Sequence, residues 1–140
     1  MARINKTLDD SGQTLKAAGL IAAPAACTPI ADLGAGFVEG NIVIDVTALE
    51  LNADEIYDII LQLSPDAAFG TDTNIREKLG ISLSAAEVKR SDANVDDVIG
   101  RYIVPFNNDH AGTIYRYARL YTVVAGTIAT GINYTARLSK

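Results

Sequence analysis

The residue types that could do chemistry are few in this chain. It holds one histidine, His110, and one cysteine, Cys27. His110 directly follows Asp109 in a stretch rich in Asn, Asp and Gly that reads as a turn. A catalytic triad needs a base oriented by a carboxylate and set against a nucleophile. Here the carboxylate is a sequence neighbour and no nucleophile motif accompanies it, so His110 reads as a solvated turn residue. A cupin-type metal site needs several histidines, which this chain cannot supply. Cys27 sits among alanines and reads as a small packed residue. Alone, it forms neither an intrachain disulfide nor a multi-cysteine zinc site. Gly34, Gly36 and Gly40 make a superficial glycine-rich loop, but a phosphate loop must follow a strand and open a helix, and this one precedes a strand. The pairs Asp9-Asp10 and Asp96-Asp97 lie in polar surroundings and read as solvated surface rather than an acid–base pair. The expectation is a chain that is not an enzyme, with no catalytic, cofactor-binding or metal-binding residue and no cofactor.

One constellation survives. In residues 113–138 (TIYRYARLYTVVAGTIATGINYTARL) apolar residues recur with a period of two, the signature of strands with one face buried. The stretch reads as two long strands joined at a short glycine turn, Ala125-Gly126. In the second strand Ile128, Thr130, Ile132, Tyr134, Ala136 and Leu138 share a face. In the first, Ile114, Ala118, Leu120 and Val124 share one face, and Tyr115, Tyr117, Arg119, Tyr121 and Val123 share the other. Tyr and Arg combine contact area with a polar end and are enriched where proteins meet. Tyr115, Tyr117, Arg119 and Tyr121 are therefore the candidate protein-interface residues; the plainer alternative makes their face the second half of a sandwich core. Arg116 falls on the aliphatic face and must reach an edge or a carboxylate.

The elements that would position this face follow the same rule. Residues 41–51 (NIVIDVTALEL) alternate as a strand, with Val43 and Leu49 as exceptions, and Asn52, Ala53 and Asp54 form a turn. In residues 56–63 (IYDIILQL), Tyr57, Ile59, Leu61 and Leu63 share a face; β-branching and the stop at Ser64, Pro65 and Asp66 favour a strand over a helix. Residues 67–74 read as a loop, 75–84 as one or two short strands around Gly80, 85–88 as a further short strand, and 91–97 as a polar loop. Residues 100–106 (GRYIVPF) read as a strand that Pro105 restricts to an edge or an end. About seven or eight strands without a convincing long helix predict an all-β antiparallel sandwich or jelly roll over residues 37–140. Residues 1–36, interrupted by Gly12, Gly19, Pro24, Pro29, Gly34 and Gly36, read as an extended N-terminal arm that lies along its own domain, a second copy or another protein; the plainer alternative is a floppy tail.

Composition agrees with one globular domain. The 49% hydrophobic and 21% charged content excludes a disordered chain, and 140 residues suffice to bury roughly 65–70% of the unfolded surface. With three Phe and no Trp, the core must be aliphatic. The net charge of −5 argues against a nucleic-acid partner, because such affinity comes from Lys and Arg neutralising phosphates. No run approaches the ~20 apolar residues of a membrane span. The segment 17–27 (AAGLIAAPAAC) is not expected to be a lipoprotein signal: Asp9 and Asp10 precede it, and Pro24 stands where a branched apolar residue belongs.

Residues 40–50 (GNIVIDVTALE), 55–70 (EIYDIILQLSPDAAFG), 100–108 (GRYIVPFNN) and above all 115–138 resemble the capsid cement, or decoration, proteins of tailed phages, in particular the Bordetella phage Bbp16-like family. The resemblance covers about residues 37–140 and is most specific at 115–138. It implies a jelly roll without catalytic residues or cofactor, placed on the outer surface of the virion's capsid. It also implies a homodimer whose partner is the major capsid protein of an HK97-like head, bridged capsomer to capsomer; from the charge and hydropathy above, no nucleic acid and no membrane are expected as partners. A carbohydrate- or receptor-binding jelly roll, using the tyrosine face as a sugar platform, is the alternative from a different class; the absence of Trp counts against it.

Overall fold

In this computed structural model the described residues are 13–70, 72–85 and 97–139. In chain order they form β1 (Thr14–Lys16), β2 (Leu20–Ile21), β3 (Ala25–Ala26), β4 (Ala31–Asp32), β5 (Glu39–Leu49), β6 (Ile56–Ser64), a 3-10 turn (Asp72–Asn74), β7 (Arg76–Ser84), β8 (Gly100–Asn107), β9 (Asp109–His110), β10 (Thr113–Ile114), β11 (Tyr117–Ala125) and β12 (Ile132–Ser139). Two five-stranded antiparallel sheets result, beside a separate two-stranded ladder of β9 and β10. One runs β1-β12-β5-β8, with β2 continuing β1 along β12; the other runs β3-β11-β6-β7, with β4 continuing β3 along β11. Counting β1/β2 and β3/β4 as two broken strands, this is an eight-stranded jelly roll: every connection crosses between the sheets except the hairpin β6–β7 and the small β9–β10 ladder.

The alternation written in the sequence decides which side of each strand is inside. Ile42, Ile44 and Val46 of β5, Tyr57, Ile59, Leu61 and Leu63 of β6, Ala118 and Leu120 of β11, and Ile132, Tyr134, Ala136 and Leu138 of β12 make one core between the sheets. Residues 75–84 supply one continuous strand, β7, with a register shift opposite Ile59 and Ile60. β8 is an edge strand, as its Pro105 requires. The segment 107–112, expected as a turn, contains β9 and the turn at Ala111 and Gly112, both at positive φ (54° and 88°), that pairs it with β10. Asp9, Asp10, Asp96, the possible strand at 86–88 and the first twelve residues of the expected arm lie outside the described residues.

Residues 13–36 are extended, and they lie along their own domain as the first pair of strands of the jelly roll. The division at 36/37 therefore falls inside the fold. Leu15, Cys27, Ala31 and Leu33 from this segment enter the core; burying a leucine stabilises by about 1.5–3 kcal/mol, enough to hold a segment whose strands are two or three residues long. Lys16 fastens it further. Its buried ammonium donates to the carbonyls of Ala17 (2.9 Å), Gly19 (2.9 Å) and Tyr134 (2.7 Å) and sits 4.5 Å from the centre of the Tyr134 ring. Burial pushes its pKa below the usual lysine value.

The C-terminal pair is corrected by the structure. β11 and β12 are not a hairpin; they belong to opposite sheets and meet face to face across the core. The strand begins at Ile132, so Ile128 and Thr130 belong to the connection 126–131. A period of two requires only that one face be buried, and two such strands satisfy it equally well stacked as paired. The connection is pinned from outside. The Glu50 carboxylate accepts backbone N–H bonds from Ala129 (3.0 Å), Thr130 (2.7 Å) and Gly131 (2.8 Å), and Asp54 accepts from the Thr127 N–H (3.0 Å). Gly131, at φ 98°, lets the chain pass against β2: a Cβ there would lie 2.0 Å from the Ile21 carbonyl oxygen. No helix among the described residues is long and apolar enough to cross a membrane.

Candidate protein interface

The outer face of β11 is built by register. Arg119 pairs with Gln62 of β6, and Gln62 pairs with Glu77 of β7, so three side chains line up across three strands. Arg119 Nε donates to Gln62 Oε1 (2.7 Å), and Gln62 Nε2 donates to Glu77 Oε2 (2.7 Å). Gln62 is nearly inaccessible, at 6% exposure. The loop after β6 completes the support. Asp66 accepts the N–H groups of Ala68 (3.0 Å) and Gly70 (3.2 Å), which hold its carboxyl below its ordinary pKa. This turn carries Phe69 in the left-handed region (φ 51°) and brings its ring under the Arg119 guanidinium, 4.3 Å from centre to carbon. Tyr117 and Tyr121 flank Arg119 on the same face, both half-buried.

Tyr115 is not on this face. The chain bends at Arg116 and the alternation shifts by one, so Tyr115 points inward and joins the core at 9% exposure. Its backbone N–H donates to the Asn108 carbonyl (2.9 Å) and its carbonyl accepts from Asn108 Nδ2 (2.8 Å). The same bend leaves Ile114 exposed in β10 rather than on the aliphatic face of β11. Arg116 turns outward and finds a carboxylate: it donates to Asp32 through Nε (2.8 Å) and Nη2 (3.0 Å). The Arg116 bond first, and the Gly34 N–H second, pull the Asp32 carboxyl down to about 2. Arg116 also lies 5.3 Å from the Tyr117 ring. Three of the four candidates, Tyr117, Arg119 and Tyr121, thus share the outer face of β11; Arg119 and Tyr121 line a depression of about 550 Å³ together with Gln62, Ile75, Arg76 and Glu77.

The other residues singled out by type are scattered. His110 pairs with Thr113 in the β9–β10 ladder, and the Asp109 carboxylate accepts the Gly112 N–H (3.0 Å). Cys27 is buried, with Thr122 Oγ1 at 3.5 Å and Tyr134 Oη at 3.4 Å. Gly34 and Gly36 lie in the β4–β5 connection, and Gly40 is within β5. Asp97 Oδ2 accepts the Ser84 N–H (2.8 Å). Among the described residues no group of three His, Cys, Asp or Glu side chains could hold a metal ion. Gln62, Phe69, Arg76 and Glu77 were not legible as site residues: Gln62 stood on the outward parity of its strand, but only strand pairing shows what it faces. The surface can recognise; its groups are donors, acceptors and rings on a rigid sheet. No family model, curated protein or solved structure matches the chain.

Proposed function

We propose that the chain is a structural capsid cement protein of a tailed phage. In this reading it binds, as a homodimer, to the outside of an HK97-like head and bridges neighbouring capsomers of the major capsid protein. The observation that carries the reading is the Tyr117–Arg119–Tyr121 face: two tyrosines flank an arginine that Gln62 and Phe69 hold in place, on a sheet rather than on mobile loops. Such anchors are what protein interfaces use. The segments that resemble the cement family supply this face: 55–70 carries Gln62 and Phe69, and 115–138 carries the Tyr and Arg residues.

The physics of cementing is simple. A head packed with DNA is under outward pressure, and a domain touching two capsomers adds binding free energy that must be lost before they separate. A ligand that binds only the intact lattice stabilises it by mass action. Many copies give avidity without any one tight contact. The test is to mix the purified protein with undecorated heads and sediment them. Co-sedimentation at a fixed stoichiometry, with heads that withstand higher temperature, is expected; a protein that stays in the supernatant at saturating concentration refutes the reading.

A further inference from the structure

We propose that the depression beside Arg119 is a receptor for a single carboxylate, presented by an Asp or Glu side chain of the protein this face meets. The inference rests on reading the face as an interface and names the chemistry that it recognises. Arg119 uses one N–H, its Nε, on Gln62. Its Nη groups have no acceptor among the described residues. Arg76, in the same depression, spends Nη1 on the carbonyls of Thr73 (2.8 Å) and Ile75 (3.1 Å), and its Nε and Nη2 have no acceptor among those residues either. The Tyr121 hydroxyl is likewise without a partner there. Two guanidiniums and a phenol therefore line one depression with unused donors, and each guanidinium keeps a pair of N–H groups in the fork that binds carboxylates through two parallel hydrogen bonds.

The arrangement is set before any ligand arrives. Glu77 fixes the Gln62 amide so that its oxygen faces Arg119, and the Phe69 ring fixes the plane of the guanidinium. An arginine held in this way loses little freedom on binding. Charge selects the ligand. Two guanidiniums against the Glu77 carboxylate leave one positive charge, which suits a monoanion. A phosphate dianion or a polyanion meets the Glu77 charge and the chain's net −5. The Tyr121 ring lines the site, and the Phe69 ring lies against the Arg119 guanidinium.

The test uses the whole protein with labelled arginine side chains, titrated with acetate, inorganic phosphate and chloride at matched ionic strength. Acetate is expected to give saturable shifts of the Arg119 and Arg76 Nε–H signals, and chloride none. Arg119→Gln should weaken acetate binding by about tenfold. Gln62→Leu keeps both positive charges and removes only the positioning contact; it should weaken acetate by about threefold while leaving the protein folded by circular dichroism. Shifts no larger than with chloride, tighter binding of phosphate than of acetate, or undiminished binding by Arg119→Gln would each overturn the proposal. Sedimentation with heads separates the two readings. Acetate binding without head binding rejects the capsid reading and keeps the receptor. Head binding undiminished in Arg119→Gln rejects the receptor's role and keeps the capsid reading.

Discussion

The stacking of β11 on β12 can be measured through one hydrogen bond. Thr122 Oγ1 and Tyr134 Oη lie 2.6 Å apart, and both residues are fully buried. In a hairpin turning at Ala125-Gly126, Thr122 would face Ala129 and Tyr134 would face Tyr117, so the two hydroxyls would not meet. Removing one hydroxyl strands the other inside the core, where an unsatisfied polar group costs about 1–3 kcal/mol. The Cys27 thiol is a weak substitute partner, so Tyr134→Phe and Thr122→Val should each cost about 1–2 kcal/mol. The double variant leaves neither group stranded and should cost less than the sum by about 1 kcal/mol. At roughly 3–4 °C per kcal/mol for a domain of this size, each single variant lowers Tm by roughly 3–8 °C. Urea and thermal unfolding of the four proteins give the coupling. Additivity within ~0.3 kcal/mol would refute the stacking argument, because residues that do not touch add.

Two further outcomes follow from the 126–131 connection. Gly131→Ala should destabilise by more than about 2 kcal/mol in urea unfolding, since it combines a positive φ with a Cβ driven against the Ile21 carbonyl, whereas Gly36→Ala, with nothing within 4 Å and no positive φ, should fall within ~0.5 kcal/mol of wild type. The Glu50 carboxyl is held below its ordinary value of 4.5, first by the Thr130 N–H and then by that of Gly131. Its folded pKa is depressed, so the protection it gives is complete above the ordinary value and is lost as pH falls through the depressed one. Hydrogen exchange at Ala129, Thr130 and Gly131, corrected for intrinsic rates, should therefore be pH-independent above about 5 and accelerate in stronger acid. Glu50→Gln should raise exchange at neutral pH and flatten that dependence; unchanged protection in the variant would show that the carboxylate does not hold the loop.

The sequence made the long strands legible, apart from β7, which read as one or two short strands around Gly80, because burial of one face imposes a period of two, as on Tyr57 to Leu63 and on Ile132 to Leu138. It could not show which strands pair and which stack, since both leave the same pattern; hence the hairpin reading of β11 and β12. The first two strands were hidden for another reason. Gly19, Pro24 and Pro29 cut them into pieces too short to show any period, and only their pairing with β11 and β12 makes them strands. Of the candidate interface residues, Tyr117, Arg119 and Tyr121 were legible as one parity class. Tyr115 was misplaced because a bend of one residue at Arg116 reverses the parity, which no composition rule marks. Arg116 reached a carboxylate, as its position on an aliphatic face demanded, and did so by leaving that face.

The claim that this jelly roll cements a phage head is tested most directly by imaging undecorated heads incubated with saturating protein. The account predicts an ordered layer of β-sandwich density on the outer surface, bridging capsomers, with Tyr117, Arg119 and Tyr121 buried against a protein neighbour. Heads whose outer surface remains bare would contradict it.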